Sequence, residues 1–350
     1  MGAVEKVRGF KTLARRWAAR LYARSPAFLC GLRDKVTIVT YHRVLSTADM
    51  HRQFVQPGMY VSDAVFESHV RFLTRHFKVI AFSELLWLWQ NEGWDSGSRY
   101  CVITFDDGWI DTYGRAFPIL RRHRIPATVF LPTAYIGTWE WFWPDKLGWL
   151  SMALMQKDHG NRQVIVASLR QSFPWLGQVT DGILRGDADS IIECCKAQDQ
   201  QQIDACLGQW AAVMHLELPL ERLLMNWEEA REMSAAGVEF GSHSVTHRIM
   251  TNLSREAILS EARDSWASLR QQGLNPIPVF CYPNGNWSAE VAECVALAGY
   301  RAATTTEFGY ESATPGRMFG LKRVNIHHDI TSTDDLFAFH LAGFNSLNMY

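Results

Sequence analysis

Short β-branched apolar runs alternate along this chain with stretches whose apolar residues recur at helical spacing. Most runs end at a polar or glycine-containing turn. That rhythm predicts parallel strands with helices packed around them. Residues 35–40 form the first predicted strand and deliver Tyr41-His42-Arg43 to its end. His42 there suits either a functional site or a hydrogen-bonded structural role. Residues 62–75 predict a helix capped by Ser62, with Val65, Phe66, His69, Val70 and Leu73 on its buried side. Residues 77–82 predict a strand, and Ser83 predicts a cap for a helix running to Gln90 and stopped at Asn91-Glu92-Gly93. Val102-Ile103-Thr104-Phe105 is a buried strand broken by Asp106-Asp107-Gly108. Residues 111–123 predict a helix and 127–131 a strand.

The rhythm breaks over about residues 138–225, where no clean strand occurs and Trp139, Trp141, Phe142, Trp143, Trp149 and Trp175 crowd a mostly helical pattern. This stretch predicts an inserted, mainly helical cap. Its aromatics either form the insertion's own small core or stack on sugar rings. Beyond it, Asn226 and Glu229 make a capping box, and residues 238–240 predict a strand running into Gly241-Ser242-His243-Ser244-Val245-Thr246-His247. Ser254 caps a helix through Gln271. Residues 279–282 predict a strand ending in Pro283-Asn284-Gly285, and 289–298 a helix closed by Gly299. Residues 301–306 and 322–326 predict the last strands, and 333–341 a terminal helix. Residues 1–34 stand apart from this domain. Lys6, Arg8, Lys11, Arg15, Arg16, Arg20 and Arg24 face one early acid, Glu5, while Val4, Val7, Leu13, Trp17 and Leu21 recur on one helical face. Such a basic amphipathic helix either packs its apolar face on the domain or makes peripheral membrane contact through about residues 1–30.

Composition adds limits. Apolar residues make up 47% and charged residues 20% of the chain, so a sizeable core is expected. Lys plus Arg is 35 against 36 for Asp plus Glu, a balance that gives no reason to expect nucleic acid. The seven cysteines are odd in number and form no C-x-x-C, which fits a reducing compartment. No run of ~18 apolar residues predicts a membrane span, and no secretory signal is expected. A cytoplasmic protein, peripheral on the inner membrane surface if the N-terminal helix binds lipid, is the resulting expectation.

The chemistry lies at the strand ends. Asp106 and Asp107 close one, either as a plain turn or as two carboxylates with separate tasks, one on a metal and one on a proton. His243-x-x-x-His247 closes another, and residues four apart on a helix face can bridge one metal. Two imidazoles and a carboxylate leave open positions on a metal, the pattern of a hydrolytic site. No glycine-rich phosphate loop or Arg cluster accompanies the Asp pair, which argues against a phosphoesterase.

Thr104-Phe105-Asp106-Asp107-Gly108 together with His243-Ser244-x-x-His247 resembles the signature of the polysaccharide deacetylase family, also called the NodB homology domain or carbohydrate esterase family 4. Tyr41-His42-Arg43-Val44 and the stretch from Phe280 to Gly285 stand in the same order. The resemblance spans about residues 35–330. It implies an α/β fold, a distorted (β/α)7-type barrel, and a metal-dependent N- or O-deacetylase. Carried over by position, Asp107, His243 and His247 are the implied metal ligands, and Asp106 the base that deprotonates the attacking water. The main-chain N–H of Asn284, in Tyr282-Pro283-Asn284, is the implied oxyanion donor. The acid for the leaving amine falls to His328, with His327 beside it as the alternative. The implied metal is Zn2+, with Co2+, Ni2+ or Mn2+ also suited to the donor set. Cys281 stands where the family often has an Arg that orients the base, and residues 301–306 lack the family's next acid. These departures resemble a branch found among exopolysaccharide-synthesis proteins. Two functional readings remain: a de-N-acetylase acting on an acetylated amino-sugar glycan or lipid-linked sugar, or a catalytically weak metal-binding or scaffolding member of the same fold.

Overall fold

The computed structural model describes residues 3–344, with the backbone alone for residues 3–11 and 51. Seven strands carry the fold: β1 Lys35–Tyr41, β2 Arg99–Phe105, β3 Thr128–Leu131, β4 Glu239–Ser242, β5 Pro276–Cys281, β6 Ala302–Phe308 and β7 Leu321–Asn325. Each runs parallel to its neighbours in chain order. β1 pairs with β2 over its whole length, Lys35 opposite Arg99 through Tyr41 opposite Phe105, and also with β7 at Val39–Val324. The sheet therefore closes into the expected (β/α)7-type barrel. Parallel strands covered on both faces read as largely apolar runs, and Val36, Ile38, Val102, Phe130, Val279 and Leu321 meet in one buried cluster. Because all strands run the same way, their C-terminal ends share one rim. His42, Asp106, Asp107, His243, Tyr282 and His327 all follow a strand directly onto that rim.

The helices begin where polar caps predict. Ser62, Ser254 and Thr333 each accept an N–H from their first turn, and Asn226 with Glu229 forms the full capping box. One boundary differs. The strand expected over 77–82 shrinks to Lys78–Val79, and the next helix is Phe82–Gln90, with Ala81 as its N-cap. Ser83 lies inside that helix because its hydroxyl and N–H both bind the Glu239 carboxylate.

The chain divides into two compact units. The barrel unit holds the residues up to Leu45, Tyr60–Thr138 and the chain from Leu224 onward. The second unit combines Trp139–Leu223 with Ser46–Met59. It is helical, with Trp143–Met155, His159–Ser172, Ala188–Cys195 and Gln200–Met214 around a core of Leu147, Leu154, Leu169, Leu176, Ile191 and Trp210. Trp143, Trp149 and Trp175 pack against that core, while Trp139 is 63% exposed. Residues 46–59 join this unit through Phe54. Its ring lies 2.0 Å from where a Cβ on Gly148 would stand, so only glycine admits it.

The N-terminal helix is Ala3–Ala23. The side chains of Val4, Val7, Lys6, Arg8 and Lys11 lie outside the described residues. Of the rest, the face made by Ala18, Ala19 and Tyr22 packs on Leu336 and Phe339 of the terminal helix Asp334–Leu341, with the Tyr22 ring edge-on to Phe339. The larger apolar residues Leu13, Trp17 and Leu21 face solvent instead.

Candidate active site

β2 carries its buried run as far as Phe105 and then turns abruptly. The Asp106 N–H still donates to the Tyr41 carbonyl of β1, at 3.0 Å. Asp107 and Gly108 then adopt left-handed φ values of 72° and 69°. At Gly108 a Cβ would stand 2.6 Å from the Leu131 side chain, so the turn needs glycine. The two carboxylates thus diverge through a left-handed turn rather than through the pleat of a strand.

Asp107 faces two histidines. Its Oδ2 accepts from the Trp109 indole N–H at 3.0 Å. Its Oδ1 lies 3.3 Å from His243 Nε2 and 3.1 Å from His247 Nε2. His243 donates its Nδ1–H to the Cys281 carbonyl at 2.8 Å, which leaves Nε2 to face Asp107. A bare imidazole nitrogen beside a carboxylate oxygen repels it, so a proton or a cation must lie between them. The donor atoms of Asp107, His243 and His247 all lie within 4.8 Å of one another. Two nitrogens and one carboxylate oxygen are a donor set for Zn2+ and equally for Co2+, Ni2+ or Mn2+. The residues present fit a divalent metal.

The two histidines reach this arrangement without the helix that their spacing suggests. Ser244 and His247 take left-handed φ values of 66° and 57° in an irregular loop. Glu261 accepts the N–H groups of Val245 and Thr246 at 2.7 and 2.9 Å, and Ser244 Oγ accepts that of His247 at 3.0 Å. Side chains therefore satisfy the backbone that a helical turn would otherwise satisfy.

Asp106 faces the other way, into the barrel. Arg323 of β7 grips it with a two-pronged ion pair, both Nη–Oδ distances being 2.7 Å. The guanidinium is itself fixed by the Thr305 carbonyl at 2.8 Å and Thr40 Oγ1 at 3.0 Å. Burial raises the Asp106 pKa, but the Arg323 charge and hydrogen bonds override it and bring it down to about 2. His42 lies beside this pair, its Nε2 3.9 Å from Asp106 Oδ2. Among the described residues its Nδ1 is buried without a hydrogen-bond partner, and burial lowers its pKa.

Arg323 is the residue that sequence reasoning missed. No local pattern marks it, and only the structure shows that Leu321 and Arg323 share the buried phase of a strand whose Lys322 is exposed. The remaining expected residues sit on the same rim in other environments. His328 receives the Ser62 N–H on Nδ1 at 3.4 Å and stacks on Tyr60 at 5.6 Å. His327 Nδ1 lies 3.6 Å from Asp329 Oδ2. Among the described residues, neither histidine pairs with Asp106 or Asp107. Tyr282 is buried and donates its hydroxyl to the Phe319 carbonyl at 3.0 Å. Pro283 opens a tight turn directly after β5, in which Asn284 has a φ of 58°.

Comparison with known proteins agrees with this geometry. The polysaccharide deacetylase family model matches residues 94–164 and 186–303, over half of the chain. A Bacillus subtilis protein named putative polysaccharide deacetylase YxkH is 21% identical over 83% of this chain and 71% of its own length. The Staphylococcus aureus poly-beta-1,6-N-acetyl-D-glucosamine N-deacetylase is 35% identical over 32% of this chain and 41% of its own length. Among solved structures, the Streptococcus pyogenes deacetylase PplD in complex with acetate superposes with a TM-score of 0.56 at 17% identity, covering 88% of this chain and 98% of that one. IcaB from Ammonifex degensii gives 0.54 at 16% identity, covering 87% and 97%. At these identities the two structures speak for the fold alone, whereas the family model, together with the paired carboxylates and histidines on the barrel rim, shows that the chain belongs to the polysaccharide deacetylase family.

Proposed function

We propose that this chain is a metal-dependent de-N-acetylase that releases acetate from an amino sugar in a polysaccharide or glycolipid precursor. One observation carries the reading: the adjacent carboxylates are sorted into separate tasks. Asp107 faces two imidazole Nε2 atoms, while Asp106 is clamped by Arg323. The name of the Staphylococcus aureus relative, a poly-N-acetylglucosamine N-deacetylase, supports the substrate class.

Asp107, His243 and His247 would hold the metal, which when bound supplies Lewis-acid polarisation of the acetyl carbonyl and of the attacking water. Asp106 accepts the proton of that water, and its Arg323 clamp holds the carboxylate ionised and aimed. The main-chain N–H of Asn284, at the turn after β5, is the donor assigned to the oxyanion. As the carbon–nitrogen bond breaks, the amine leaves with a proton. That proton is the one Asp106 took from the water, relayed through a histidine of the same rim, for which His42, 3.9 Å from Asp106, and His328, held by Ser62 and Tyr60, are the two candidates. The Arg323 clamp weighs against one ground of the scaffolding reading, the lack of an Arg at position 281, while the other, the lack of an acid in residues 301–306, stands.

The test is acetate release from poly-N-acetylglucosamine oligomers and lipid-linked acetylated amino sugars. Stripping metal with a chelator should abolish release, and Zn2+ or Co2+ should restore it. Asp106→Asn should retain its metal yet lose roughly a hundred- to ten-thousand-fold in rate. Unchanged release after metal stripping, or a normal rate in Asp106→Asn, would overturn the assignment.

A further inference from the structure

We infer that the N-terminal helix Ala3–Ala23 is a docking surface for an anionic lipid bilayer. The helix is used on one face only. Ala18, Ala19 and Tyr22 pack against Leu336 and Phe339, and the Arg15 guanidinium donates to the Ile330 carbonyl at 2.9 Å. On the opposite face, Leu13, Trp17 and Leu21 are 55%, 58% and 68% exposed. Residues four apart stack along a helix, so these three form one apolar row. Arg16, Arg20 and Arg24 form a second exposed row beside it, with the Arg20 guanidinium 5.8 Å from the Trp17 ring centre.

A merely solvated face has no reason to gather two leucines and a tryptophan into a row. The arrangement does match an interfacial helix. The apolar row enters the boundary between headgroups and acyl chains, the indole sits at headgroup depth, and the arginines reach up to lipid phosphates. The charge selects the occupant. Residues 12–24 contain no acid at all. A second copy laid on this face would set arginine against arginine, whereas an anionic bilayer complements it. No helix of the described residues is long and apolar enough to cross a membrane, so the contact is peripheral. The fold also holds this helix preformed, so binding spares the cost of nucleating it on the lipid.

The experiment is co-sedimentation of the full chain with vesicles. Vesicles of equal parts phosphatidylglycerol and phosphatidylcholine should pellet the protein at low salt, while pure phosphatidylcholine should leave it in solution. Arg16→Gln with Arg20→Gln and Arg24→Gln should weaken partitioning roughly a hundredfold. Trp17→Ser with Leu21→Ser should abolish it at any salt. Both variants should keep the parent's circular dichroism and its rate on a soluble substrate. Failure of the parent chain to pellet with anionic vesicles would overturn the inference. So would equal binding by the variants, or self-association that Trp17→Ser abolishes without any vesicle binding.

Discussion

At the scale of single residues, the centre depends on a charge pair that spans the chain. Arg323 and Asp106 are 217 positions apart, and both are almost wholly buried. Removing one member of such a pair strands the other in a low-dielectric interior. Arg323→Gln should therefore cost about 3–5 kcal/mol of stability in urea unfolding. The double variant Arg323→Gln with Asp106→Asn should lose clearly less than the sum of the two single changes. Simple additivity would show that the pair is not coupled. The residues that meet around Asp107 stood out in the sequence because Asp106-Asp107-Gly108 and His243-x-x-x-His247 are compact local patterns. Arg323 was not, because its partner is brought to it only by barrel closure, and position 281, where an Arg was expected, holds a Cys.

At the scale of elements, two buried histidines fasten the end of the chain to the barrel. His69, on the helix Asp63–His76, receives the Tyr41 hydroxyl on Nδ1 and donates Nε2–H to the Thr331 carbonyl at 2.7 Å, with its ring stacked 3.8 Å from Phe337. His340, on the terminal helix, donates to the Asn325 carbonyl at 2.8 Å. Burial brings their pKa values down to about 3 and about 4. Both are neutral in the folded protein, while the unfolded chain protonates its histidines near pH 6.5. Their stabilising effect is thus complete above that pH and is lost as the pH falls toward 4. The slope should approach about 1.4 kcal/mol per pH unit for each histidine. Urea melts between pH 7 and 4 should show it, and His69→Gln or His340→Gln should each reduce the slope by one proton. A slope unchanged in both variants would exclude this role. Most of the elements themselves were legible, since caps such as Ser62, Asn226, Ser254 and Thr333 act locally. The histidine loop after β4 was not. Its shape is set by Glu261, a helix residue with no local signature that marks it as a backbone acceptor.

At the scale of the whole molecule, the chain forms two compact units, each with its own buried core. That of the second unit is centred on Trp210, which is fully buried and donates its indole N–H to Met214 Sδ at 3.1 Å. Trp210→Ala should cost that unit about 3–5 kcal/mol. Calorimetry should then resolve a second, earlier transition, and a single transition shifted as a whole would show instead that the two cores melt together. The strand–helix alternation made the barrel readable from the sequence, and its interruption marked the insertion. That residues 46–59 belong with the insertion was hidden, because the link is made by tertiary contacts such as Phe54 on Gly148, between distant parts of the chain.

The position of Arg323 on β7 has a consequence for the order of assembly. As the chain is synthesised, Asp107, His243 and His247 all emerge before the last strand does. A nascent or truncated chain that ends ahead of Leu321 carries every proposed metal ligand and the proposed base, Asp106, but not the cation that holds its carboxylate. Because β7 also seals the sheet against β1, closure of the barrel and clamping of Asp106 become the same event.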